Sequence, residues 1–241
     1  MSYKYSRLTT QNSQLAMTRL PLRAVTLALL LAVPVSWPAG GFAAVARGNA
    51  TPPAHRLARC KGDTRAHVSI RWPTAADRAV NRRLRWRAQV PELIRRWAYL
   101  IVPDSTAAGV DPYLVAGVMK IESQGDPLIW NLDSDARGLM QVLHASFEPA
   151  TNVRTGVSML GALQRQFGSR DLVLAAYNAG PGSVQSYGGV PPFTETRDYV
   201  VLVDYYRDLY ASVKLSAART ARFKAAWADL VAYYRRICGR P

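Results

Sequence analysis

The sequence predicts an all-α protein. Apolar residues recur at helical spacing along most of the second half of the chain, and Asp or Pro precedes these stretches while Gly follows them. No stretch shows the alternation of apolar and polar residues that is typical of a half-buried strand. The chain has 241 residues and 49% of them are hydrophobic, so it is long enough for one packed domain with appended segments.

Residues 1–46 are predicted to be an export signal. Two arginines precede an apolar run at residues 24–33, and Ala-Val-Ala at residues 44–46 fits a cleavage site. The run has about ten residues, whereas a membrane-spanning helix needs roughly twenty. A retained anchor is the alternative, and Met17 is an alternative start. We therefore expect a periplasmic or cell-envelope protein that contacts a membrane only through this segment.

Residues 47–98 form a basic N-terminal extension. They hold thirteen Lys or Arg against three Asp or Glu, whereas residues 99–241 hold fourteen against thirteen. A helix is predicted from Thr74 to Val90, with arginines around an apolar stripe. For an exported protein, an anionic wall polymer or a membrane surface is a better partner than nucleic acid. The alternative is a solvated arginine-rich helix face.

Two shorter helices are expected next. Pro91 restarts the chain before a helix from Glu92 to Ile101, and Pro103 opens a short helix that Gly109 ends.

The stretch from Val110 to Gln141 carries the first indication of function. Asp111 and Pro112 form a helix-start signal, and the helix that follows is mostly apolar, so we expect it to be buried. Its last turn holds one carboxyl group, Glu122. The unpaired carbonyls of a last turn and partial desolvation both favour a protonated carboxyl, which is what a general acid needs. A solvated surface glutamate is the alternative interpretation.

The remaining helices follow from the same start and stop signals. The predicted elements are a helix that begins at Gly138, where the glycine allows close backbone approach, a long helix capped by Asn152 and ended by Gly168, a helix from Asp171 to Ala179, a short one from Pro181 to Gly188, a rigid loop at residues 191–193, a helix from Thr196 to about Val213, and a last one capped by Ser216 that runs to about Cys238.

Three motifs follow Glu122-Ser123 in order. They are Gly-Leu-Met-Gln at residues 138–141, Ala-Tyr-Asn-Ala-Gly-Pro-Gly at 176–182 and Glu-Thr-Arg-Asp-Tyr-Val at 195–200. Together the four resemble the motifs of lytic transglycosylases of the soluble, lysozyme-like type, the transglycosylase SLT domain family, over about residues 103–210. The run between Glu122 and Gly138 departs from the family pattern, with Ser134 as the nearest counterpart of its serine. The resemblance implies a helical domain of the goose-lysozyme and transglycosylase type.

The resemblance also implies an activity. Such enzymes cleave the β-1,4 bond between N-acetylmuramic acid and N-acetylglucosamine in peptidoglycan and leave a 1,6-anhydro end. Glu122 would act first as general acid and then as base, with Tyr199 nearby. The residues that would hold the sugar chain are Ser123, Ser134, Gln141, Tyr177, Asn178, Glu195 and Tyr199. No cofactor is implied, and the three histidines are too scattered to suggest a metal site.

Two other functions remain open at this point. A lysozyme-like hydrolase on the same fold would need water and a second carboxylate, for which Asp126, Asp133, Asp135 and Glu195 are the candidates. A non-catalytic wall-binding module led by the basic extension is the other. The expected partner is the peptidoglycan glycan strand in every case. The sequence leaves open whether a secretion or conjugation machine is a further partner, and whether cleavage is exo or endo.

The two cysteines, Cys60 and Cys238, predict one disulfide in an exported protein, with free thiols or an intermolecular bond as the alternatives. The predicted organisation is a signal at residues 1–46, the basic extension at 47–98, a catalytic domain at 99–213 and a C-terminal helix at 214–241.

Overall fold

A computed structural model of the chain describes residues 63–84, 86 and 89–238, without the side chains of Asp63, Tyr234, Ile237 and Cys238. The predicted export signal and Cys60 lie outside the described residues. Helices hold most of the described residues, which confirms the all-α prediction.

The described residues form nine helices and four short strands. In chain order these are β1 (Asp63–Arg65), α1 (Ala75–Leu84), α2 (Glu92–Arg95), α3 (Ala98–Ala108), α4 (Pro112–Glu122), β2 (Ile129–Asn131), β3 (Ala136–Arg137), β4 (Val142–Leu143), α5 (Pro149–Phe167), α6 (Arg170–Ala179), α7 (Pro181–Tyr187), α8 (Thr194–Tyr210) and α9 (Ala217–Cys238).

Helix α4 lies at the centre of the core. Eight of its eleven residues are buried, as its apolar sequence predicts. Asp111 caps it, since the Asp111 carboxylate accepts from the backbone N–H of Tyr113 at 2.9 Å. Helix α8 packs closely on α4, because Gly117 brings no side chain to the contact with the Val203 carbonyl. This packing places the end of α4 against the first half of α8.

A four-stranded antiparallel sheet lies beside the helices, in the order β1-β2-β3-β4. Thr64 pairs with Trp130, Trp130 with Arg137, and Ala136 with Leu143. The sequence did not predict these strands because each has only two or three residues, too few to show a period of two.

The Gly-Leu-Met-Gln motif does not begin a helix, so that prediction is wrong. Residues 138–141 form a turn between β3 and β4, in which Gly138 and Gln141 have φ values of 73° and 47°. Positive φ values are incompatible with an α-helix. The close approach predicted at Gly138 is present, since a Cβ there would lie 2.7 Å from the Asn152 side chain.

Asn152 is not the cap of the long helix. That helix begins earlier, at Pro149, and Asn152 lies buried within its first turns. Its Oδ1 accepts from the backbone N–H of Met140 at 2.8 Å, and its Nδ2 donates to the carbonyls of Arg137 and Ser146, both at 2.9 Å. Asn152 therefore fastens the 138–146 segment instead of the helix end.

The helix break expected before Pro103 occurs earlier, at Arg96 and Trp97, and α3 runs through Pro103. Trp97 is fully buried and its Nε1 donates to the Gly125 carbonyl at 3.1 Å. The predicted helix from Thr74 ends at Leu84. Ser216 precedes α9 as predicted, since its hydroxyl accepts from the backbone N–H of Arg219 at 3.2 Å.

The described part of the basic extension packs on the remainder of the domain. Strand β1 pairs with β2, and both Ile94 and Trp97 belong to the hydrophobic core. None of the helices in the described part of the chain is long and apolar enough to cross a membrane.

Candidate active site

Glu122 is the last residue of α4 and has no exposed surface. The hydroxyl of Tyr199, from α8, donates to Glu122 Oε1 at 2.7 Å. The pKa of Tyr199 is raised well above its usual range. The causes, largest first, are burial, the charge of Glu122, the neighbouring Tyr177 and this hydrogen bond. The phenol therefore stays protonated and holds the carboxyl group in one orientation.

Tyr177, from α6, is the second buried phenol near Glu122. Burial and the charge of Glu122 raise the pKa of Tyr177 well above its ordinary value. Its hydroxyl donates to the Met140 carbonyl at 2.9 Å. Tyr177 thus ties α6 to the 138–141 turn while it lies within electrostatic reach of Glu122.

The 138–141 turn is also fastened to the end of α4. The hydroxyl of Ser123, the residue after Glu122, donates to the Leu139 carbonyl at 2.7 Å. Gln141 Nε2 donates within the turn to the Gly138 carbonyl at 2.9 Å and to the Ile129 carbonyl at 3.1 Å. Ser123 and Gln141, both expected to hold sugar, therefore hold the backbone around Glu122 in this structure.

Asn178 and Glu195 lie on the α6 and α8 side of the site, and both are buried. Asn178 Oδ1 accepts from the Thr196 hydroxyl at 2.7 Å, which links the two helices. Burial, and after it the charge of Glu195, raise the pKa of Tyr233, so Glu195 lies within electrostatic reach of α9. Asp198, one turn further along α8, is buried as well, and burial together with the charge of Asp229 raises its pKa to about 6.

Ser134 lies in the turn between β2 and β3. Its backbone N–H and that of Asp133 donate to Asn131 Oδ1, each at 3.0 Å, and its hydroxyl accepts from the Ala136 N–H at 3.4 Å. Ser134 is half-buried, so part of the residue is exposed on the sheet side of the domain.

Asp126, the first candidate for a second carboxylate, is already paired with an arginine side chain. It pairs with Arg65 at 3.0 Å and accepts from the Leu128 N–H at 3.1 Å.

Asp135 is held more firmly. Arg137 and His144 each bond it at 2.7 Å, and Trp130 Nε1 donates to it at 2.8 Å. Burial opposes ionisation, but the hydrogen bonds from these three residues lower the pKa of Asp135 below its usual range. Asp135 therefore serves as an ionised structural partner.

Sequence reasoning missed three polar residues of this region. Asn152 holds the 138–141 turn, Thr196 bonds Asn178, and Asn131 organises the turn that contains Ser134. Thr196 lies within the 195–200 motif, which was the available signal. The position of Asn152 before an apolar run instead suggested a helix cap, because Asn is also typical of that position.

No group of three or more His, Cys, Asp and Glu residues that could hold a metal ion occurs within residues 63–84, 86 and 89–238.

Residues 100–200 match the family model described as the transglycosylase SLT domain. The chain is 40% identical over 90 residues to a soluble lytic murein transglycosylase of Salmonella typhimurium, a match that covers 32% of this chain and 13% of that protein. It is 31% identical over 135 residues to lysozyme g of Struthio camelus, covering 46% and 66% of the two chains. It is 30% identical over 118 residues to a membrane-bound lytic murein transglycosylase C of Haemophilus influenzae, covering 37% and 33%.

These similarities confirm the predicted resemblance and the lysozyme-like helical class. The chain spans 13–66% of the length of these relatives.

Proposed function

Because residues 100–200 match the transglycosylase SLT domain, we propose that this protein is a peptidoglycan lytic transglycosylase with Glu122 as its acid–base residue. The observation that carries the proposal is the fully buried Glu122 carboxyl, bonded by the Tyr199 phenol at 2.7 Å within the matched region. Tyr199 holds this carboxyl in one orientation at the end of α4, as a group that exchanges a proton with a bound substrate requires.

The reaction proposed for Glu122 has two steps. The Glu122 carboxyl first donates its proton to the glycosidic oxygen, and the C1–O bond breaks while the N-acetyl oxygen of the sugar bonds to C1. The carboxylate then removes the proton of the 6-hydroxyl, whose oxygen attacks C1 and displaces the N-acetyl oxygen. The product is a 1,6-anhydro end, and Glu122 regains its proton without consuming water. One carboxyl group suffices for both steps.

The surroundings of two of the four candidate second carboxylates support a mechanism with a single acid. Asp126 and Asp135 are already engaged by Arg65 and by the Arg137–His144 pair. A hydrolase of the two-carboxylate type needs a second group free to activate water or attack the sugar. We therefore favour the transglycosylase reaction over hydrolysis.

The predicted sugar-binding residues divide into two groups in this proposal. Ser123, Gln141 and Tyr177 act as positioning residues, because their polar groups bond the backbone of the turn next to Glu122. Ser134, Asn178 and Glu195 remain as residues that contact the sugar chain, while Tyr199 orients Glu122.

Peptidoglycan is the proposed substrate, and the periplasm or cell envelope is the proposed location. Both follow from the family and from the export signal predicted at residues 1–46. The sequence leaves open whether a secretion or conjugation machine is a further partner.

The test is the Glu122→Gln variant acting on purified sacculi. Loss of a general acid typically costs about 10² to 10⁴ in rate, so we expect turnover to fall by at least that range. Mass analysis of the wild-type products should find ends lighter by one water than hydrolysis products.

Glu148→Gln is the matched control, because Glu148 carries the same charge but accepts from the Arg71 backbone N–H at 3.0 Å, at the start of α5. It should keep near wild-type turnover. A Glu122→Gln protein that retained more than about a tenth of wild-type turnover would refute the assignment.

Similarity to lysozyme g favours one alternative, a hydrolase on the same fold. Hydrolysed reducing ends, in place of anhydro ends, would identify that reaction.

A further inference from the structure

A cavity of about 780 Å³ lies on the part of the domain built from the basic extension. Its lining comes from the segment before α1, from α1 and from α2, so it involves none of the four motifs. Single bound ions need far less space, whereas small-ligand sites commonly measure about 300–1,000 Å³. The cavity is therefore large enough for a short segment of an organic ligand.

Positive charge dominates the lining. Arg78, Arg82, Arg95 and Arg96 contribute four guanidinium groups, whereas Glu92 is the single carboxylate among the lining residues. Arg95 already pairs with Glu92 at 2.6 Å. The remaining excess is three positive charges, which favours an anionic ligand.

The arginines differ in how firmly the protein holds them. Arg78 donates to the Pro73 carbonyl at 2.7 Å and Arg96 to the Leu93 carbonyl at 3.2 Å. Arg82 makes no hydrogen bond or ion pair with any residue of the described part of the chain, and it is exposed. Its guanidinium is thus the group most available to a ligand.

Aromatic and amide groups complete the lining. Trp72 is 45% exposed, and Arg96 lies over its ring at 5.9 Å. Asn81 Nδ2 donates to the Arg96 carbonyl at 2.8 Å, while Asn81 Oδ1 is buried without a hydrogen bond from any described residue. The cavity thus combines cations, an apolar indole face and an unused acceptor that can take an N–H.

The cavity is connected to the end of α4 by direct contacts. The ring of Trp72 packs on Trp97, with 6.0 Å between the centroids, and Trp97 donates to the Gly125 carbonyl. Gly125 lies three residues after Glu122. Trp97 thus contacts both the cavity lining and the segment that follows Glu122.

We propose that this cavity binds the carboxylate-bearing peptide stem of the peptidoglycan strand, with Arg82 and Arg96 as the cations and Trp72 as the apolar contact. The inference rests on the proposed function for the identity of the strand. A guanidinium matches a carboxylate with two parallel hydrogen bonds. The indole face suits the methyl groups of a peptide, and Asn81 Oδ1 suits a peptide N–H. A phosphate polymer would use the cations but leave these last two groups unused.

The test is calorimetric titration of the Glu122→Gln protein with a soluble disaccharide-peptide fragment, and with the same disaccharide lacking its peptide. The peptide-bearing fragment should bind more tightly. Replacing Arg82 by Gln should weaken its binding about tenfold, the typical loss of one hydrogen-bonded charge pair. Binding of the peptide-free disaccharide should not change.

Arg83→Gln is the matched control, since Arg83 is the adjacent exposed arginine of α1 and does not line the cavity. It should change the affinity less than twofold. A fragment whose peptide carboxylates are converted to amides should bind the wild-type protein more weakly than the unmodified peptide-bearing fragment. Circular dichroism melting verifies that each variant is folded.

Equal affinity of the Arg82→Gln and Arg83→Gln proteins for the peptide-bearing fragment would overturn the inference. So would an Arg82-dependent affinity for a glycerol phosphate oligomer with none for the peptide. Both results leave the proposed cleavage intact if the wild-type protein still cuts sacculi. Conversely, Arg82-dependent peptide binding by a protein that cuts no glycan would refute the proposed function alone.

Discussion

Tyr199, the hydrogen-bond partner of Glu122, does not compete for the proton that we propose Glu122 transfers. The pKa of Tyr199 is raised chiefly by burial, and the nearby charge of Glu122 raises it further. A neutral phenol donating to Oε1 accommodates both the protonated and the ionised carboxyl. This arrangement suits the role proposed for Glu122, first as acid and then as base.

Asp198 is the residue for which the structure predicts a pH-dependent stability. Burial and Asp229 raise the pKa of Asp198 from 3.8 to about 6. The folded protein therefore binds more protons than the unfolded chain between about pH 4 and pH 6. The free energy of unfolding therefore falls as the pH rises through this window. Above about pH 6 the folded protein bears the full cost of burying the ionised Asp198 carboxylate.

The Asp198→Asn variant removes this cost. We expect its free energy of unfolding to exceed that of the wild type by about 1–3 kcal/mol at pH 7.5, and the difference to vanish below about pH 4. Urea unfolding at several pH values measures it. Asp229→Asn should act in the same direction but less, because burial is the larger cause. Asp171→Asn, at an exposed position, should give no such trend, and a pH-independent difference for Asp198→Asn would contradict the prediction.

At the scale of elements, the contact between α4 and α8 positions Glu122 against Tyr199. It depends on Gly117, where an added Cβ would lie 2.9 Å from the Val203 carbonyl oxygen and 3.2 Å from the Arg207 nitrogen. Both neighbours are backbone atoms, so making room for the added Cβ requires one of the two helices to shift.

Gly117→Ala should therefore destabilise the protein. Higher helix propensity favours alanine by about 1 kcal/mol, but overpacking typically costs about 1–3 kcal/mol, so we expect a net loss of about 1–2 kcal/mol. Gly182→Ala is the matched control in α7, where an added Cβ meets no atom within 4 Å, and it should be neutral or stabilising. Thermal unfolding compares them, and a Gly117→Ala protein as stable as the wild type would show that the contact is not tight.

The sequence predicted the long helices well because their signals are local. Asp111 and Pro112 begin α4, Gly168 ends α5, and Pro181 begins α7, as each residue type favours. A helix was predicted to begin at Gly138, but residues 138–141 form a turn in which Gln141 has a positive φ. Glycine is the residue type that usually indicates a positive φ, so nothing in the sequence indicated this conformation at Gln141. Strands of two or three residues are likewise too short to show an alternation of apolar and polar residues, so they are recognised only by the strands they pair with.

The sequence predicted part of the candidate site but not the hydrogen bonds that hold it together. Glu122 stood out as a lone carboxyl in an apolar helix, and its proximity to Tyr199 followed from the family resemblance. The partners of Ser123, Gln141 and Asn152 could not be predicted, because each bonds the backbone of a turn whose conformation was unknown.

At the scale of the whole molecule, the charge of the chain is unevenly distributed. Residues 99–241 are nearly neutral, whereas the extension at residues 47–98 has a net charge of ten, from thirteen cations and three anions. Cleavage of an uncharged glycosidic bond requires no such excess. We propose that this excess charge attracts the protein to an anionic wall, an attraction that salt screens over about 8 Å at physiological ionic strength.

Cys60 and Cys238 lie near the two ends of the predicted mature chain and are predicted to form one disulfide. Cys60 lies three residues before β1, and Cys238 ends α9. A disulfide between them would restrict nearly the whole unfolded chain, which in the chain-entropy model contributes on the order of 4 kcal/mol. We expect denatured, unreduced protein from the periplasm to show no free thiol. Reduction, or the Cys60→Ser/Cys238→Ser double variant, should lower the free energy of unfolding, whereas reductant should leave the double variant unchanged. Two titratable thiols per chain before reduction would rule the bond out.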